Sequence, residues 1–405
     1  MQERVTKGII TASYDDDGKH GPVKDKVMGQ IQKEKEKGYK FLNHVFLRDT
    51  GAHRVTKFNF PLAGIPIIAY TMFNAARTSL ERIAVVGDEL TEGTVEAFSD
   101  YFQDDRFTYV NEGDSKNWTM SETFRRGKDA VKAEEGEVSL VLMGDLPFAW
   151  NLEHLLIDPD IADNDAVLDL NTRGRVGLFF PRYYHLRIKH RGHWFAKEPN
   201  LYLMDVEKIL PIADMIYSGR KTNMNQGRRA TFERLFVNDG RWLGTLKGMG
   251  PRYAAETAFN LAAGRRPLLK PDLAREVIEN ALGLRVKFKA DNDDPGTLED
   301  VDSLEDWAYL SEMLMHGEDT FYPYFTRLRK FSEDVMPTLR EKFDFYDSSE
   351  EYMNSLFKEY GLPEPFVLTG VFKNPFRTPR VKRMIWGNIL YHRKYNRKYS
   401  EDIRE

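Results

Sequence analysis

The stretch Ser139-Leu140-Val141-Leu142-Met143-Gly144-Asp145-Leu146-Pro147 decides the fold. Leu140 to Met143 form an unbroken apolar run between a charged segment and a Gly-Asp-Leu-Pro break, the length and character of a buried central strand. In an open α/β sheet the ends of parallel strands line the ligand crevice. Asp145, one glycine beyond the strand, is therefore placed to hold a metal ion against a bound phosphate. An aspartate there also suits a turn or a helix cap, so the neighbouring segments must decide.

Upstream, Gly8 to Ala12 begins like a first strand and runs into the turn-rich Ser13-Tyr14-Asp15-Asp16-Asp17-Gly18. Residues 22–37 are polar, rich in lysine and helical in character. Tyr39 to Phe60 holds two strand-like runs around Arg48-Asp49-Thr50-Gly51, which predicts a hairpin, and Pro61 to Pro66 breaks it. After Pro66 an amphipathic helix is predicted, then a buried strand at Arg82–Gly87, a short one at 106–110 and a helix over 122–133. Strands alternating with helices at this pace mean βαβ units and a mostly parallel sheet. Downstream, Arg285 to Lys289 alternates like a late strand, and Asp291 to Gly296 reads as a turn without calcium-loop spacing.

Composition narrows the classes. The 405 residues suit a main domain with an appendage, and 41% hydrophobic residues allow a large core. A net charge of −4 gives no overall basic field and no clear nucleic-acid signal. The chain has no cysteine, which excludes disulfides, thiolate metal sites and a cysteine nucleophile. The first residues are too polar for a signal peptide and no apolar run reaches the roughly 18 residues of a membrane span, so a soluble, cytoplasmic protein is expected.

TKFNFPLAGIPIIAYTM, RIAVVG, LVLMGDLP, KEPNLYLMD and the late EDVDSLEDWAYL, in this order, resemble the MobA-like nucleotidyltransferases. The resemblance spans residues 1–315, with 20–52 as an insertion, and leaves 316–405 as a helical, basic extension. It implies a Rossmann-like, three-layer α/β/α fold with a mostly parallel mixed sheet. It also implies an activity: a phosphorylated small-molecule acceptor attacks the α-phosphorus of a nucleoside triphosphate and pyrophosphate leaves. Such a transfer needs cations near the triphosphate, Mg²⁺ held by carboxylates, and positioning.

Carried over residue by residue, the resemblance puts Lys57 at the signature lysine, with Arg54 as a second cation. Asp145 falls on the first metal ligand, and Asp300 and Asp302 fall on the D-V-D that supplies the second. Alternation around Val301 sets those two carboxylates on one side of an extended segment, although Asp302 or Ser303 also suits the cap of a following helix. Ala12, Ser13 and Gly144 fall among the nucleotide-binding positions, with Ser115 and Thr123 in the segment that contacts the base in relatives. Lys197, Glu198 and Asn200 resemble the acceptor-side loop, and the same letters also suit a proline turn before a strand.

One departure is plain. Where the family carries a glycine-rich loop with an arginine, this chain has Ser13-Tyr14-Asp15-Asp16-Asp17, whose acids repel a triphosphate unless metal intervenes. The alternative first strand, Asn43 to Leu47, would make Asp49 to Arg54 a degenerate version of the loop. Two other readings therefore stay open: a non-catalytic nucleotide-binding or scaffold protein on the same fold, and a nucleotide-sugar glycosyltransferase. Residues 376–398 are basic and aromatic around Met384, Ile385 and Trp386, which suits an anionic membrane surface, a protein partner or packing on a twin subunit.

Overall fold

A computed structural model describes residues 4–12, 58, 61–87, 89–112, 119–171, 188–190, 193–195, 200–210, 213, 255, 275, 278–279, 282–292, 294–298, 300–301, 310, 314 and 324–342. The strands are β1 (Lys7–Thr11), β2 (Pro61–Leu62), β3 (Ile65–Pro66), β4 (Arg82–Gly87), β5 (Phe107–Asn111), β6 (Val138–Met143), β7 (Ala166–Asn171), β8 (Ile188–His190), β9 (His193–Phe195), β10 (Leu201–Asp205) and β11 (Val286–Asn292). The helices are α1 (Ile67–Ala76), α2 (Glu89–Phe102), α3 (Met120–Val131) and α4 (Phe325–Lys342). The predicted hairpin over 39–60 lies outside the described residues except for Phe58. The predicted break at Pro61 to Pro66 is itself a small hairpin, with Leu62 opposite Ile65 and Ala63 and Gly64 at φ 49° and 87°.

Seven strands form one sheet in the order β11-β7-β10-β6-β1-β4-β5. The pairs β1 with β4, β1 with β6, β4 with β5, and β7 with β11 are parallel. Only β10 runs against its neighbours β6 and β7. The fold is thus α/β with a mostly parallel mixed sheet.

Alternation along the central strands explains the apolar runs. Ile10, Val85, Leu140 and Leu142 face a core shared with α1, α2 and α4, whereas Ile9, Ala84, Val86 and Val141 face one built with Phe124 and Val131 of α3 and with Val206 and Leu210. A sheet covered on both faces needs apolar residues at successive positions rather than alternate ones. Helix α3 starts where its sequence allows: Thr119 caps it by accepting the Glu122 N–H at 3.1 Å.

The predicted amphipathic character of α1 does not hold. Ile67 to Met72 are all buried, as are Asn74 and Ala75. The cause is α4, whose Phe331 stacks on Phe73 at 4.2 Å and meets Tyr70 edge-on at 5.7 Å. A helix covered by the sheet on one side and by another helix on the other has no wet face. At the amino end of the parallel strands, Asp165 accepts from Lys208 at 2.6 Å and from the Arg285 backbone and side chain at 2.8 and 3.0 Å. These bonds pin the start of β7 to that of β11. Among the described residues no helix is long and apolar enough to cross a membrane.

Candidate carboxylate site at the sheet rim

The chain passes from β1 outward to β4 and β5, then returns to the other side of β1 as β6. Strand order therefore reverses at β1, and in open α/β sheets the ligand crevice lies outside the carboxyl ends of the strands at such a point. Thr11 and Ala12 stand there beside Met143, Gly144 and Asp145. The Gly144 N–H donates to the Thr11 carbonyl at 2.9 Å, and Ala12 donates to Val86 at 2.7 Å. A β-carbon on Gly144 would lie 3.0 Å from the Thr11 carbonyl oxygen, 3.0 Å from the Phe58 ring and 3.4 Å from Ala12. The glycine of the Gly-Asp pair is thus fixed by close backbone approach. Phe58, the residue after Lys57, is buried against it.

Asp145 is 2% exposed. Its turn is held by α1: Thr71 donates its hydroxyl to the Gly144 carbonyl at 3.0 Å and accepts the Leu146 N–H at 3.2 Å, and Asn74 donates to the Pro147 carbonyl at 3.0 Å.

The late acidic segment reaches the same rim through backbone bonds. The Met143 N–H donates to the Asn200 carbonyl at 3.2 Å, and the Asn200 N–H donates to the Thr297 carbonyl at 3.1 Å. Asn200, itself 8% exposed, therefore ties the end of β6 to the turn that leads to Asp300. A second tie runs through Asp294, whose carboxylate accepts the Asn151 N–H at 2.7 Å and the Gly296 N–H at 2.9 Å. Thr297 closes the turn by donating its hydroxyl to the Asp294 carbonyl at 2.8 Å. Burial pushes the Asp294 carboxyl up, the backbone N–H groups of Asn151, Gly296 and Trp150 hold it back, and it titrates at about 6. Asp300 is 8% exposed and is followed by Val301, which is buried in the core.

The structure thus gathers Ala12, Gly144, Asp145, Asn200 and the Asp300 segment at one rim. Thr123 is fully buried in α3, where its hydroxyl turns back to the Thr119 carbonyl at 3.4 Å. Arg54, Lys57, Ser13, Ser115, Lys197, Glu198 and Asp302 lie outside the described residues. Thr71, Asn74 and Thr297 escape the sequence reading, which places Asp294 only in a turn. The available signal was a pair of polar residues three apart in an otherwise apolar helix.

The donor chemistry fits Mg²⁺. Among the described residues no group of three or more His, Asp or Glu could hold a metal ion. Asp145 and Asp300 are nevertheless hard oxygen donors of the kind this ion takes, since it is commonly held by one or two carboxylates with water and substrate phosphates supplying the rest.

Fold and site together define a mixed α/β sheet carrying buried carboxylates at its topological switch point. No family model matches the chain, and no curated protein does. Solved structures that match the chain include a hypothetical transferase from Thermus thermophilus, 16% identical with a TM-score of 0.44, the match covering 75% of this chain and 99% of that one. Another is 4-diphosphocytidyl-2C-methyl-D-erythritol synthase from Anaerococcus prevotii, 12% identical with a TM-score of 0.36 over 78% of this chain and 100% of that one. A third is the inositol-1-phosphate CTP transferase of T. maritima, 14% identical with a TM-score of 0.32 over 52% of this chain and 75% of that one.

Proposed function

We propose that the chain is a Mg²⁺-dependent nucleotidyltransferase. It would transfer a nucleoside monophosphate from a nucleoside triphosphate to a small phosphorylated acceptor and release pyrophosphate. The observation that supports this most directly is the tying of the Asp145 turn and the Asp300 segment to one rim at the switch point, through Asn200 and Thr297.

In this reading an acceptor phosphate oxygen forms a bond to the α-phosphorus as the bond to the β-phosphate oxygen breaks. The protein contributes placement and charge rather than a covalent intermediate. Ala12, Ser13 and Gly144 would be the nucleotide-side positions. Asp145, Asp300 and Asp302 would hold the metal, which when bound would neutralise charge on the triphosphate. Lys57 and Arg54 add positive charge to the same groups. Lys197, Glu198 and Asn200 would orient the acceptor and Ser115 would contact the base; Thr123, fully buried with its hydroxyl turned to the Thr119 carbonyl, would act there only through the placing of α3. The acids at 15–17 leave this metal and these cations to supply the charge that a glycine-rich loop would otherwise help provide.

The test is pyrophosphate release from each nucleoside triphosphate with Mg²⁺ and a panel of sugar and polyol phosphates. Asp145→Asn and Asp300→Asn are each expected to lower the rate by at least about 100-fold, as expected for loss of a ligand to the catalytic metal. Stabilisation by nucleotide sugars but by no triphosphate would instead favour a glycosyltransferase. Nucleotide binding without turnover would favour a scaffold on the same fold.

A further inference from the structure

Thr71 and Asn74 stand one helical turn apart on α1, and both are fully buried. The Thr71 hydroxyl brackets Asp145 on both sides, donating to the carbonyl before it at 3.0 Å and accepting the N–H after it at 3.2 Å. Asn74 secures the next carbonyl, that of Pro147, at 3.0 Å.

Helix α1 needs neither residue for its own sake. Threonine and asparagine are weak helix formers, and a buried hydroxyl or amide is unfavourable unless it is hydrogen-bonded. Asn74 bears that cost in part, because its Oδ1 is buried with no hydrogen-bond partner among the described residues. Apolar side chains of similar size would fill the same space without it. What they would lack is a grip on the backbone at Gly144, Leu146 and Pro147.

We infer that Thr71 and Asn74 are positioning residues that aim the Asp145 carboxylate for binding a divalent cation with its nucleotide. This rests on the nucleotidyl-transfer reading above. The two side chains bond to the turn and not to the ligand; Asp145 would make the contact with the cation. Groups that orient a metal ligand typically change metal affinity about 10–100-fold when removed.

The experiment uses the full chain and follows its melting temperature while Mg²⁺ is titrated at a fixed concentration of ATP, CTP, GTP, UTP or dTTP in turn. For Thr71→Val the Mg²⁺ concentration giving half the shift should rise about 10–100-fold. Thr71→Ser, which keeps the hydroxyl, should match the wild type, and Asn74→Ala should move in the direction of Thr71→Val. If both disrupting variants melt lower but keep the wild-type midpoint, the residues are merely structural and the inference is overturned. If Thr71→Val does not fold, the Asn74→Ala midpoint decides. A wild type that shows no Mg²⁺-dependent shift with any triphosphate removes the nucleotidyl-transfer reading, and this inference with it. A wild-type shift with unmoved variants removes the inference alone.

Discussion

Gly296→Ala should pull apart the two loops that carry the candidate carboxylates. The new methyl carbon would lie 1.7 Å from the Phe148 carbonyl oxygen and 2.3 Å from its carbonyl carbon, where real contacts of this kind almost never fall below 3.0 Å. The two backbones must therefore separate by roughly 1 Å. Neither side yields easily. Phe148 is fully buried and packs edge-on against Phe325 at 5.8 Å, while the Gly296 N–H is bonded to Asp294 at 2.9 Å. Overpacking typically costs about 1–3 kcal/mol, and a main-chain clash belongs at the top of that range. Melting should fall by several degrees, at about 2–4 °C per kcal/mol for a sizeable domain. The same displacement moves the Asp294–Thr297 turn away from Asn200 and, with it, the segment leading to Asp300. Differential scanning fluorimetry with and without Mg²⁺ and triphosphate reads both effects. A variant that melts within about 1 °C of the wild type and keeps its ligand-dependent shift would refute the described packing of Gly296 on Phe148.

Three further outcomes follow from the buried charges and the aromatic core. Burial would push the Asp165 carboxyl up, but Arg285 and Lys208 outweigh it and bring it down to about 2. Its contribution is therefore present above about pH 4 and lost as pH falls through about 2; because Arg285 and Lys208 are themselves exposed to screening by solvent, Asp165→Asn should cost on the order of 1 kcal/mol at pH 7 and much less at pH 2, measured by denaturant melts. Asp294 has the opposite sign: its folded value of about 6 lies above that of an unfolded aspartate. The wild type should lose stability relative to Asp294→Asn as pH rises from about 4 to about 6, then hold a constant difference, and a difference flat across pH 4–7 would refute it. Phe331→Ala removes a 4% exposed ring that contacts Tyr70, Phe73, Phe98 and Phe102. It should cost about 3–5 kcal/mol by equilibrium unfolding.

The strands with unbroken apolar runs were legible from the residues alone. Arg82–Gly87 is a strand as read, and the Leu140 run lies inside β6, because a residue pattern buried on both faces is a local property. The Gly-Asp pair after β6 was legible for the same reason, and Asp145 does stand at the carboxyl rim. Strand β7 was not foreseen, and neither was the position of β10 running antiparallel between β6 and β7, since direction is set by partners rather than by composition. The burial of α1 on all sides emerged from the folded chain, because the helix that covers it comes far downstream. The folded chain alone showed that Thr71 grips the Gly144 turn and that Asn200 and Thr297 bring the Asp300 segment to β6. Each of those ties ends on a backbone N–H or carbonyl of a segment distant in the chain, and a backbone group leaves no mark in the letters of a sequence.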